Sequence, residues 1–293
     1  MLDIRLRHGQ AVWLMLVVTL MWSMAGVVTR HLEHARSFEI TFWRSFFTMV
    51  SLAILLPLFQ GASVWRKFGT RSPSFWVSGV CWCVMFTAFM VALTLTTVAN
   101  VLVTLALGPL MTALVARIFI GHRIALRTWG AIAAAGAGIA WMYGAQVGGG
   151  QWVGTLVALC VPLAGATNWT VTQRAHARGM DVDLVPAVMV GAVLSSLITL
   201  PLALPLRASA HDVGLLAVLG LFQLAIPCVL SVICARVLKA PEVSLLALLE
   251  VIFGIFLAWL GAGEEPDMRV LTGGALVIGA LVVNELLGWR ERS

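Results

Sequence analysis

The strongest constraint on this chain is a succession of apolar stretches, most near twenty residues long, separated by short polar segments. At 1.5 Å per residue, about 20 apolar residues form a helix that crosses a hydrocarbon core of roughly 30 Å. Ten stretches qualify, at approximately 11–29, 39–58, 75–95, 98–118, 128–143, 152–172, 184–203, 213–235, 243–261 and 270–288. Lipid offers no hydrogen bonds to the backbone, so such stretches predict helices, which satisfy their own polar groups. The third and fourth run almost together, and their boundary is expected near Thr96-Thr97. Only 11% of the residues are charged and 60% are hydrophobic, whereas a soluble domain carries roughly a quarter charged residues. The chain therefore cannot cover a water-facing surface. It reads as an all-α membrane protein of ten transmembrane helices.

Loop charges give the orientation. With a cytoplasmic N-terminus, the inner loops gather Arg5, Arg7, Arg66, Lys67, Arg71, Arg117, Arg123, Arg127, Arg174, Arg178, Arg236, Lys239, Arg290 and Arg292. The outer loops then hold Arg30, Arg36, Arg207 and Arg269. Cytoplasmic loops carry the excess of Lys and Arg, so both termini are expected in the cytoplasm of a multi-pass protein of the bacterial inner membrane. The net charge of +6 belongs to these loops and not to a nucleic-acid surface. The first stretch, at roughly 19 residues, exceeds the 7–15-residue core of a cleaved signal and reads as the first span.

The two halves resemble each other. An offset of 144 matches Arg30 to Arg174 and Pro57 to Pro201. An offset of 142 matches Leu107-Gly108-Pro109 to Leu249-Glu250-Val251, and Gly121-His122 to Gly263-Glu264. Two repeats are expected, over 1–146 and 147–293. With five spans in each, the second copy must cross the membrane in the opposite sense, and inverted repeats recur in transporters with the substrate site near the midplane.

No catalytic constellation is present. The histidines lie in loops or at span ends, and there is no HExxH, GxSxG or P-loop lysine motif. The chain is read as not an enzyme, without cofactor or metal. The five cysteines lie inside apolar stretches with no CxxC spacing and read as small buried hydrophobes. The acidic run Glu264, Glu265 and Asp267 reads as a solvated outer loop.

Two charges fall within spans, and intramembrane charges mark function by default. Glu250 is a candidate coupling or substrate-contacting group, or a neutral carboxyl bonded to a neighbouring helix. Arg44, near the outer end of the second span, could fork onto a substrate carboxylate. Its favoured role is gating or structural, snorkelling to the interface or pairing with Glu39 or Glu33.

Polar residues and prolines on otherwise apolar helices form a second layer. Asn100, Thr104, Gly108 and Thr112 recur every four residues, and Pro109 removes the donor for the Leu105 carbonyl. The sixth span holds Pro162, Gly165, Asn168, Trp169 and Thr172, and in the eighth Pro227 frees the Gln223 carbonyl. Such broken helices are tolerated against protein or a watery cavity. Close packing with kinks explains any one of them, and three together favour a cavity. Trp13, Trp65, Trp76, Trp129, Trp152 and Trp289 read as interface anchors, whereas Trp22, Trp82 and Trp169 lie deeper. Gly130, Ala134 and Gly138, with Ala275 and Gly279, form small-residue faces assigned to scaffolding or dimer contact.

These motifs are similar to those of the drug/metabolite transporter superfamily, specifically the EamA-type family of two five-helix repeats. The resemblance rests on Met21-Trp22-Ser23, on the arginine of Phe42-Trp43-Arg44-Ser45, and on paired helix-ending signatures. That family commonly reads Leu-Glu-Pro in the fourth and ninth spans, followed by Leu-Gly-Glu. Here Leu107-Gly108-Pro109 keeps the proline and Leu249-Glu250-Val251 the glutamate, while Ile120-Gly121-His122 lacks and Ala262-Gly263-Glu264 keeps the later glutamate. The resemblance implies a helical basket around a central cavity, alternating access, and export of amino acids, with aromatic and neutral amino-acid exporters as the nearest group. The expected substrate contacts are Trp22, Asn100, Thr104, Asn168, Trp169 and Gln223, with Glu250 for coupling and Arg44, Pro109, Pro162 and Pro227 for gating or structure. The expected partners are a small-molecule substrate and the lipid bilayer, as a monomer or homodimer. A multidrug or cationic-compound exporter is the alternative, and a membrane-embedded enzyme or a scaffold is the alternative of another class.

Overall fold

A computed structural model describes residues 7–68, 72–120, 125–143, 151–177, 184–234, 237–238 and 246–290, and all regular structure among them is helical. The first half contains α1 (His8–Thr29), α2 (Ser37–Gln60), the short α3 (Val64–Lys67), α4 (Pro73–Leu95), α5 (Val98–Leu105), α6 (Gly108–Ile120) and α7 (Leu126–Tyr143). The second contains α8 (Gln151–Ala177), α9 (Val185–Ala203), α10 (Ala210–Val218), a π-helical segment (Leu219–Ala225), α11 (Ile226–Cys234), α12 (Leu249–Ala262) and α13 (Met268–Arg290). Among the described residues, seven helical runs are long and apolar enough to cross a membrane, and Trp152–Asn168 and Leu249–Ala262 are shorter apolar helices.

The interruptions have local causes. Thr96 is extended, with φ −149° and ψ −177°, which ends α4. The Thr97 side chain then accepts from the Asn100 backbone N–H at 3.2 Å and caps α5. α5 stops at Leu105, and α6 resumes at Gly108 with Pro109 in its first turn, where a missing N–H costs nothing. The second half breaks at the position matched by the 142-residue offset: Leu248 forms a turn, and the Val251 N–H reaches back only to the Leu248 carbonyl at 3.1 Å. No proline is needed there. Glu250 consequently sits in the first turn of α12, where the helix dipole favours a negative charge.

Pairing between the halves is reciprocal. α4 packs on α8, as α1 packs on α11 and the π segment; α4 packs on α9, as α2 packs on the π segment. α5 and α6 pack on α8, as α12 packs on α1, while α2 meets α9 and α7 meets α13. Each of these contacts recurs when the first five apolar stretches are exchanged for the second five. The largest buried cluster draws on both halves, with Phe89, Leu93, Val98 and Leu102 against Leu216, Val251, Ala258 and Val277.

Two backbones approach unusually closely beside the π segment. A Cβ added at Gly220 would lie 2.6 Å from Phe47 Cβ, 2.8 Å from the Thr48 nitrogen and 2.9 Å from the Arg44 carbonyl oxygen. Only glycine lets α2 and the π segment meet there.

At the end expected to be extracellular, carboxylates tie loops across the halves. Glu39, fully buried in the first turn of α2, accepts from the Arg207 and Ala208 backbone N–H groups at 2.7 Å each. Asp212, fully buried in the first turn of α10, accepts from Glu33 and His34 at 2.9 Å, Ala35 at 3.0 Å and Ser209 at 3.3 Å. Each half thus holds a loop of the other. Glu264, expected in a solvated loop, is a structural ligand instead. Its carboxylate accepts from Arg30 Nε at 2.6 Å and from the Val98 N–H at 2.7 Å, while Arg30 also donates to the Leu93 and Thr96 carbonyls. This arrangement closes over the α4–α5 break.

Arg30→Ala removes three of these bonds and Glu264→Ala two, one of which is shared. Exposed pairs contribute only ~0.2–1 kcal/mol, so the two-carbonyl grip decides the order. Arg30→Ala is expected to lower thermal stability more than Glu264→Ala, and a double-mutant cycle in detergent should give a coupling of about 1 kcal/mol or less. Equal losses from the two single changes would contradict this assignment.

Candidate functional site

Arg44 is the largest fully buried side chain, at 1% exposure. It neither snorkels nor pairs with Glu39 or Glu33, contrary to the sequence expectation. Its guanidinium instead donates from Nη1 to Gln223 Oε1 at 3.0 Å and from Nη2 to the Phe86 carbonyl at 2.8 Å. The Phe86 and Phe89 rings flank it at 5.8 and 5.6 Å, within cation–π range. α2 places Arg44 inward because the same face carries Thr41, Ser45 and Thr48, all buried. The snorkelling argument assumed that this face met lipid, whereas α2 is covered by α9 and the π segment.

Around Arg44 lies a polar seam. Ser195 Oγ is 2.9 Å from both Ser45 Oγ and Thr87 Oγ1, which links α2, α9 and α4. Thr48 Oγ1 donates to the Arg44 carbonyl at 2.8 Å and to the Gly220 carbonyl at 3.2 Å. Sequence reasoning missed Ser45, Thr87 and Ser195. A buried hydroxyl on a span is only a weak signal, and their partners lie far apart in sequence.

Gln223 joins the halves. Its amide oxygen accepts from Arg44, and its Nε2 points at the Trp22 carbonyl at a long 3.5 Å. The π segment sets its direction: the Ile226 N–H bonds to the Leu221 carbonyl, five residues back, and Pro227 supplies no donor. Cys228, near the Trp22 indole, lies within electrostatic reach of both Arg44 and Glu250. The structure therefore joins Trp22, Gln223 and Arg44 by hydrogen bonds, with Cys228 and Glu250 in their neighbourhood. Pro227 adjoins this cluster, and Trp22 and Glu250 are each partly exposed.

Other candidates lie elsewhere. Asn100 is fully buried beneath the α4–α5 break and donates to Thr96 Oγ1 at 2.9 Å, while the Thr104 hydroxyl donates to the Asn100 carbonyl at 2.8 Å. Leu102, two residues from each, faces Gly254 of α12, so Asn100 and Thr104 project from the opposite side of α5. Asn168 is buried on α8, and Pro162 is buried in the same helix, which runs on through it. Pro109 sits just after the break between α5 and α6. The side chains of Trp169 and Thr172, and residues 121–124, lie outside those described. Four cysteines are buried as expected, but Cys160 is exposed.

A separate cavity of about 360 Å³ lies between α7 and α13, lined by Gly130, Ala134, Ala275 and Gly279 with Arg127 and Asn284. These helices are stitched by Thr128 donating to Asn284 and Trp141 donating to Thr272. No residue of the Arg44 cluster lines it. Among the described residues, no His, Cys, Asp and Glu grouping could hold a metal ion.

No curated protein matches this chain. A solved crystal structure superposes with a TM-score of 0.64 at 20% identity, covering 97% of this chain and 99% of that one, which is a likeness of fold. The model of the EamA-like transporter family matches residues 9–144 and again 152–285.

Proposed function

This chain belongs to the EamA-like transporter family, a family of small-molecule membrane transporters and not enzymes, and from that premise we propose that it exports amino acids, aromatic or neutral, or related small metabolites. The path crosses a bacterial inner membrane by alternating access of two inverted five-helix repeats, with ten spans and both termini cytoplasmic. A helix on each of the ten apolar stretches, the loop charges and the reciprocal packing of the halves support this reading. The observation that carries it is the hydrogen-bonded link of Trp22, Gln223 and Arg44, drawn from both repeats, with Glu250 in the same neighbourhood. Motion of one half against the other changes its shape, as alternating access requires.

The cluster offers a cation, an amide, an indole and a carboxylate beside the hydroxyl seam of Ser45, Thr48, Thr87 and Ser195. Amphoteric solutes suit that set better than hydrocarbons. A cationic-compound exporter is the second reading, favoured by Glu250 at a helix N-terminus within the same cluster as Trp22.

Purified protein in liposomes, with labelled amino acids and cationic dyes measured with and without a pH gradient, tests the proposal. Counterflow of amino acids above protein-free liposomes is expected. Glu250→Gln is expected to abolish dye movement while sparing a neutral or zwitterionic solute that needs no proton. Flux confined to dyes would favour the second reading, and no flux of any solute would reject both.

A further inference from the structure

Arg44 forms no ion pair among the described residues. Both of its hydrogen-bond acceptors are neutral, an amide oxygen and a backbone carbonyl. Its Nε is buried and has no partner among the described residues. Glu39 stands five residues earlier on the same helix, with its Oε1 committed to the Arg207 and Ala208 N–H groups, and its buried Oε2, which has no hydrogen-bond partner among the described residues, forms no ion pair with Arg44. The ion pairs among the described residues, Arg30 with Glu264, His34 with Glu33 and His211 with Asp212, all lie at one end of the molecule. A buried charge needs a paired counter-charge and a full set of hydrogen bonds. Arg44 has neither.

We infer that the counter-ion of Arg44 is the carboxylate of the transported molecule, bound at the unpartnered Nε, on the edge shared with Nη2. This inference rests on the transporter reading above and specifies how its substrate is recognised. Guanidinium forks match the spacing of carboxylate oxygens. Phe86 and Phe89 wall the guanidinium on its flanks, so the anion must be small or taper to a small head. Glu250, in the same cluster, would repel a second negative charge. The chemistry selects a monoanionic head on a molecule with no other anionic group, as in a neutral amino acid, and disfavours phosphate esters and dicarboxylates.

The site also accounts for the amide of Gln223. In the present conformer it fills Nη1 with a neutral acceptor. An incoming carboxylate supplies charge that the amide lacks, and the long 3.5 Å approach of Gln223 Nε2 to the Trp22 carbonyl is readily given up.

The test uses the unaltered protein in liposomes. Each of the twenty amino acids and its α-amide, which keeps the amine and side chain but removes the anion, competes in counterflow against the labelled amino acid that gives the largest flux. The amide of the preferred solute is expected to need at least a ten-fold higher concentration for half-inhibition, and a matching dicarboxylate to compete no better than the amide. Arg44→Lys keeps a charge but loses the fork, and it is expected to narrow the acid-to-amide ratio while Gly214→Ala, where an added Cβ meets nothing within 4 Å, leaves that ratio unchanged. Equal competition by acid and amide overturns the carboxylate assignment and leaves the transporter reading standing. Dye movement without any amino-acid counterflow overturns the carboxylate assignment and favours the cationic-compound reading, and no movement of any solute overturns the transporter reading as well.

Discussion

Asp212→Ala is expected to lower the unfolding midpoint of the purified protein by about 10 °C, corresponding to a loss of ~3–5 kcal/mol. The side chain is fully buried and satisfies four backbone N–H groups at once, three of them in the loop between α1 and α2. Hydrogen bonds to a charged group contribute ~1.5–3 kcal/mol each, and the four share one carboxylate, so their sum overstates the effect. Alanine leaves all four donors facing a void, and an unsatisfied buried donor costs more than a bond never formed. Asp212→Asn separates the contributions. Its single oxygen can replace Oδ2, which takes His34, Ala35 and Ser209, but not Oδ1, which takes Glu33. The asparagine variant should therefore lose less than half as much as the alanine variant in the same melting experiment. A shift below about 2 °C for alanine would show that the loop is held by other means.

Gly220→Ala is expected to damage both stability and transport. The added methyl meets Phe47 Cβ, the Thr48 nitrogen and the Arg44 carbonyl within 2.6–2.9 Å, and two of the three are backbone atoms that no rotamer change removes. Overpacking of a close core contact costs ~1–3 kcal/mol. Relief requires α2 and the π segment to move apart. That displacement breaks the Thr48 bond to the Gly220 carbonyl and lengthens the Arg44–Gln223 bond, 3.0 Å at present. Counterflow should fall by at least ten-fold while the folded protein still elutes as a single species. A useful control is Gly214→Ala on the preceding α10, where an added Cβ meets nothing within 4 Å and no change is expected. Normal flux in Gly220→Ala would place the transport pathway away from this contact.

Helix positions were readable from the sequence because twenty-residue apolarity is a local property. Even the weak boundary at Thr96-Thr97 fell where α4 gives way to α5. The two threonines supplied the signal, one extended and one capping. Pairings were harder to foresee. Arg44 was expected to seek a carboxylate or the interface, yet its partners are 179 and 42 residues away. Nothing in the pattern of α2 says that its arginine face meets helices of the other half. Glu39 and Asp212 were equally opaque, since each binds backbone N–H groups of a remote loop, and a backbone donor carries no sequence signature. Glu264 looked like one member of an acidic run, but only the fold reveals that Arg30 and the Val98 N–H converge on it. The proline and glutamine of the eighth stretch were readable as a disturbance in the helix, whereas its π character was not. The Asn100 and Thr104 stripe shows the reverse problem: its regular spacing was plain, but spacing cannot tell which neighbour a face meets.

The π segment from Leu219 to Ala225 has a consequence for the length of its column. A wide turn accommodates a surplus residue that an ordinary helix of the same height would not hold. Deleting one residue between Leu219 and Phe222 would let the column tighten into regular α geometry and leave Cys228 close to its present direction, because the wide-turn residues each rotate the chain less than α-helical ones. The same deletion in the regular α10 has no such reserve and would swing Gln223 and Cys228 by about 100° away from Arg44 and Trp22, while the cap at Ser209 and Asp212 stayed in place. The segment is thus the one stretch of its column that can lose a residue and still present the site.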